Sequence, residues 1–95
     1  MNLISMLPTR LFWDVDIESL DPEKNKHYII PRIMDRGDIE EVRLIMNYYG
    51  KQVIKNVLLE APYLDIKTIS FFANYFSCSR DDFRAYRRKG LNPWP

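Results

Sequence analysis

Residues 37–62, GDIEEVRLIMNYYGKQVIKNVLLEAP, decide the fold. Asp38 and Glu41 have the spacing of a capping box, with Asp in place of Ser or Thr. Ile39, Val42, Ile45, Met46 and Tyr49 then recur at helical intervals as far as Gly50, which closes the segment. A second helix follows at once, from about Lys51 to Glu60, with Val53, Ile54, Val57 and Leu58 inward and Pro62 as its stop. Two helices joined by so short a link pack as neighbours in a bundle.

Towards the amino end, DPEK (21–24) places Asp21 as N-cap and Pro22 at the first helical position. This helix is expected to run to Arg36, where Gly37 takes the left-handed C-terminal conformation. Its stripe is Ile29, Ile30, Ile33 and Met34, and Pro31 inside it is expected to bend it. Towards the carboxyl end, Asp65 caps a helix whose inward face is Ile66, Ile69, Phe72, Ala73 and Phe76. Ser79 caps a last one, RDDFRAYRRK, with Asp81 and Asp82 at its positive end and Arg87, Arg88 and Lys89 at its negative end. Only residues 13–18 alternate, with Trp13, Val15 and Ile17 opposite Asp14, Asp16 and Glu18. With no partner strand, they read as an extended segment laid on the bundle. The expectation is an all-α protein, a compact bundle of about five short helices: an N-terminal segment with an apolar anchor (1–20), a helical domain (21–89) and a flexible tail (90–95).

The chain has 95 residues, 46% of them apolar and 14% aromatic, which suits one small globular domain. Its single cysteine, Cys78, excludes an internal disulfide and suggests a reducing compartment. No apolar run has the length of a membrane span, and the amino end makes a poor signal peptide. The expected location is the cytoplasm. Residues 1–47 hold six Lys/Arg against nine Asp/Glu, and residues 48–95 hold eight against four. That asymmetry hints at an acidic or polyanionic partner near the carboxyl end, although solvated helix faces account for it as well.

LFWDVDIESLD (11–21) is where chemistry is to be sought. Asp14, Asp16 and Glu18 match the first three ligand positions of a calcium loop. The required glycine is Ser19, however, and the required bidentate glutamate is Asn25. A two-metal carboxylate strand needs a sheet and a phosphate cradle, and neither is present in the pattern. His27 has no nucleophile or orienting group with it, and Cys78 reads as a small apolar filler before Ser79. No enzyme, cofactor, metal or small-molecule ligand is therefore expected. Leu11, Trp13, Val15 and Ile17 are expected to pack on the bundle or a partner, with the core as the preferred place for Trp13.

Two segments invite a nucleic-acid reading. Residues 38–60 suggest a helix-turn-helix, but Met46 stands where a small residue belongs and Asn56 where an apolar one belongs. Its outer contacts would be Lys51, Gln52, Lys55 and Asn56. In the last helix Arg80, Arg84, Arg87 and Arg88 recur at helical spacing, with Tyr86 among them and Lys89 behind, a stripe that suits phosphates or an acidic protein.

LFWD (11–14), Arg36-Gly37, Tyr49-Gly50 and FRAY (83–86), within a pattern covering residues 11–89, resemble a family of small, functionally uncharacterised bacterial domains. That family is associated with genes beside nucleotidyltransferase-like toxins of the abortive-infection kind. Pro31 departs from its uninterrupted helix, and no catalytic residue carries over. The resemblance implies a helical antitoxin or accessory partner. The leading expectation is a non-enzymatic protein-interaction module that contacts another protein, with a toxin encoded nearby as the candidate, through Phe12, Trp13, Arg84, Tyr86, Arg87 and Arg88. The alternative is a DNA-binding regulator using Lys51, Gln52, Lys55, Arg80 and Lys89.

Overall fold

The Asp38–Glu41 box forms as the spacing demands. Asp38 Oδ1 accepts the Glu41 amide at 2.9 Å, and Glu41 Oε1 accepts the Asp38 amide at 2.8 Å. The computed structural model describes residues 3–90, with side chains as far as Arg88. Among them the chain forms six α-helices, three short 3-10 turns and no strand. The helices are α1 (Leu3–Met6), α2 (Lys26–Arg36), α3 (Ile39–Tyr49), α4 (Lys51–Glu60), α5 (Ile66–Tyr75) and α6 (Arg84–Gly90). None is long and apolar enough to cross a membrane.

α2 and α4 pack on each other at the centre, and Ile29, Ile30 and Ile33 of the one and Ile54 and Leu58 of the other are fully buried. α3 and α5 lie against α2, and α6 against α4. Leu3, Ile4, Leu7 and Phe12 belong to the same core cluster, so the amino-terminal segment is an integral part of the bundle. Two polar clamps fasten it. Arg10 grips Glu41 with bonds of 2.7 and 2.8 Å, and Arg32 grips Asp14. Tyr49, whose hydroxyl donates to the Pro22 carbonyl at 2.7 Å, pins the next turn to α3, and burial pushes its pKa up to about 12.

Several expectations are corrected. Residues 13–18 are not extended: they turn, and a 3-10 turn follows at Ile17–Ser19, capped by Asp16. Asp21 caps a turn over residues 22–25, and the helix proper begins only at Lys26. As expected, α2 runs through Pro31 to Arg36; the carbonyl that loses its amide partner belongs to exposed His27, where water can serve it. Gly37 is not left-handed (φ −75°). Glycine is needed because a Cβ there would lie 2.6 Å from the Ile33 carbonyl oxygen. Gly50, at φ +88° and ψ 156°, occupies a region essentially restricted to glycine and forms the whole link between α3 and α4. On α3 only Ile45 is fully buried, and Ile39 faces solvent.

The Ser79 capping box is present, but it caps a 3-10 turn over Arg80–Asp82 rather than one long helix. Phe83 then adopts extended backbone to enter the core, and α6 restarts at Arg84. Gly90 closes α6, and the rest of the expected tail, residues 91–95, lies outside the described residues. α5 ends with Ser77 left-handed (φ +56°), while Ser77 and Cys78 donate back to Asn74 and Ala73 in a Schellman arrangement.

Candidate interaction surface

The acidic stretch is explained residue by residue. Asp14 takes two bonds from the Arg32 guanidinium and one from the Tyr28 hydroxyl at 3.1 Å. The Arg32 contact holds its carboxyl below the ordinary carboxylate range. Asp16 accepts the Glu18 amide, and Asp21 the amides of Glu23 and Lys24. Arg32 also donates to the Leu11 carbonyl at 3.0 Å and lies over the Tyr28 ring at 4.6 Å. These contacts fix the chain direction at residues 11–14, and that direction parts the two neighbouring rings. Phe12 is 2% exposed and packs in the core; Trp13 is 80% exposed. The expected core place for Trp13 and the expected surface role for Phe12 are therefore exchanged.

Trp13 borders an open groove of about 380 Å³, floored by Pro31, Arg32 and Asp35 of α2 and closed by Ala61, Pro62 and Tyr63 of the α4–α5 link. Tyr63 is 70% exposed. The Arg88 guanidinium lies 4.8 Å from the Tyr63 ring centre and donates to its hydroxyl at 3.1 Å, which brings α6 to the same groove. Arg36 lines it too and makes no salt bridge among the described residues. The groove thus combines two exposed aromatic rings, Trp13 and Tyr63, with the guanidinium groups of Arg32 and Arg36 in its lining and of Arg88 against Tyr63.

Asp35 is the carboxylate whose pKa is raised, chiefly by burial. Its Oδ1 accepts the Asp65 amide at 3.1 Å, and the Thr68 hydroxyl also bonds it. It anchors the first turn of α5 from outside that helix, which is a structural task. Asp14 is likewise engaged, and what the groove presents is aromatic faces, apolar surface and guanidinium hydrogen-bond donors.

The remaining sequence-derived candidates are scattered. Arg84 reaches the Glu60 carbonyl, at the end of α4, at 3.5 Å. Arg87 turns back to the Asp81 and Asp82 carbonyls at 3.0 Å. Arg80 lies over half-buried Tyr86, 5.7 Å from its ring centre. Lys51 lies over Tyr75, Gln52 bonds Asn56, and Lys55 is half-buried. The Lys89 side chain is outside the described residues. The supposed arginine stripe is therefore divided, and Arg88 is the member held against Tyr63 among the described residues. The one-residue link at Gly50 is also shorter than the turn of three or four residues in a helix-turn-helix. Sequence reasoning missed Tyr63, Arg36, Tyr28 and Arg32. The available signal was a tyrosine directly after Pro62 in a short link, where a ring has little helix surface to pack on.

The model of a family of unknown function (DUF6922) matches residues 7–58, more than half of the chain, and the chain belongs to that family. The match holds the Trp13 segment, α2, α3 and nearly all of α4, while Tyr63 and Arg88 lie beyond it. No curated protein and no solved structure matches the chain significantly.

Proposed function

We propose that this protein is a non-enzymatic interaction module that binds another protein through the Trp13–Tyr63 groove. The observation that carries this reading is Trp13 itself. A tryptophan held 80% exposed on a chain segment clamped by Arg32 is a large apolar anchor presented at a fixed place. Exposed Trp and Tyr beside Arg are the side chains that dominate protein interfaces. The resemblance to domains found beside toxin genes supports a partner encoded nearby, with this chain as antitoxin or accessory subunit.

The test is co-expression with the neighbouring gene product, followed by size-exclusion chromatography with light scattering. A stoichiometric complex that is lost in a Trp13→Ala/Tyr63→Ala variant of unchanged circular dichroism supports the reading. Separate elution of the wild-type proteins sinks the toxin partner. Salt-sensitive binding of duplex DNA, abolished by Arg84→Ala/Arg88→Ala, would move the function to nucleic acid.

A further inference from the structure

A second surface lies between α3 and α5, which both pack on α2 and leave a groove between them. Ile39, Val42 and Met46 form one wall and Phe71, Phe72 and Tyr75 the other, around a hollow of about 390 Å³. This hollow continues into one of about 220 Å³ that also reaches Met34. Ile39, Phe71 and Tyr75 are 65%, 57% and 46% exposed, and the last two rings stack with planes 10° apart. Apart from Asp35, which borders both surfaces, these residues are distinct from those of the Trp13 groove.

Length and charge identify an occupant. Ile39 to Met46 and Thr68 to Tyr75 are each eight residues of helix, and the seven steps between their ends span about 10 Å at 1.5 Å per residue. That accommodates two turns of a third helix, whose side chains at i, i+3, i+4 and i+7 would enter between the walls. Arg43 and Lys67 line the groove, and Lys51 sits over Tyr75 at its edge. None of the three makes a salt bridge among the described residues. Among the residues lining the groove, the carboxylate is Asp35, already bonded to the Asp65 amide. A second copy docked face to face about a two-fold axis would set these cations against themselves.

We infer that this groove seats an amphipathic helix of a partner protein whose flanks are acidic. It is a contact surface additional to the Trp13 groove, and either can fail without the other.

Two helix-stabilised peptides of about 15 residues serve as probes, both with leucine at i, i+3, i+4 and i+7, one with glutamate and one with lysine at the flanking positions. Binding is followed by fluorescence anisotropy and by amide chemical shifts of the full chain. The glutamate peptide should bind at least tenfold more tightly than the lysine peptide and shift Ile39, Val42, Phe71 and Tyr75. An Arg43→Glu/Lys67→Glu variant, changed only at exposed positions, should reverse the preference while circular dichroism stays the same. Trp13→Ala/Tyr63→Ala should leave both affinities unchanged. Equal affinity for the two peptides, no binding of the glutamate peptide, shifts confined to the Trp13 groove, or a dimer of the chain that buries Phe71 and Tyr75 would each overturn the inference.

Discussion

The two exposed faces are built in opposite ways. The Trp13 groove has walls of irregular chain, Trp13 and residues 61–63, held in place by Arg32 and Asp35. The α3–α5 groove has helical walls, where the 3.6-residue period alone places Phe71 and Tyr75 away from the buried face of Ile69, Phe72 and Ala73. An irregular wall depends on a few polar bonds to distant residues, and a helical wall on the continuity of the helix. The two should therefore break under different substitutions.

The largest effect separates two neighbours in the chain. Phe12→Ala should cost about 3–5 kcal/mol in urea denaturation, because it empties a core position. Trp13→Ala should change stability by less than about 0.5 kcal/mol. Comparable losses for both would show that Trp13 is packed and that the first face does not exist. On the helical side, Gly50→Ala should destabilise by about 1–3 kcal/mol from backbone strain alone, since no atom lies within 4 Å of an added Cβ. A neutral result would mean that the α3–α4 joint can relax. Ser77→Gly should stabilise by about 0.5–1 kcal/mol, because it relieves a left-handed serine at the end of α5; a loss of stability would contradict the Schellman ending.

A titration makes the smallest and most local test. The Asp14 carboxyl should titrate below its ordinary 3.8. Its folded pKa lies beneath the unfolded one, so the stabilisation is complete above the ordinary carboxylate range and disappears as pH falls through the depressed value. Asp35 has the opposite sign: its raised pKa favours the folded state at low pH, a contribution lost as pH rises through the folded value. Arg32→Ala should return the Asp14 midpoint towards 3.8 and speed amide exchange across residues 11–15, both read by NMR. An unmoved midpoint would remove Arg32 as the clamp of that wall.

The same contrast governs what the sequence discloses. α4 is readable to its bounds, because Gly50, a clean stripe and Pro62 act within one helix. The Asp38–Glu41 box is readable because both partners are local. The exposure of Trp13 is not, because the bonds that turn the chain come from Arg32 and Tyr28, more than a dozen positions away. Period-two alternation over 13–18 imitates a strand that those bonds do not permit. Ser79 misleads in a related way: its capping spacing is correct, yet the demand that Phe83 reach the core interrupts the helix after one turn. Ile39 continues the apolar stripe of α3, but α2 covers only part of that stripe and leaves it bare.

Gly50 has a bearing on how this chain can change length. The turn at 22–25 and the link at 61–65 are runs of several residues between helices, and an insertion there lengthens a loop. Between α3 and α4 one residue serves both helices as cap, so there is no loop to lengthen. One residue gained by either helix advances its register by about 100°, carrying Ile54, Val57 and Leu58, or Ile45, off the core. Related chains should therefore vary in length at the outer joints and keep this spacing constant.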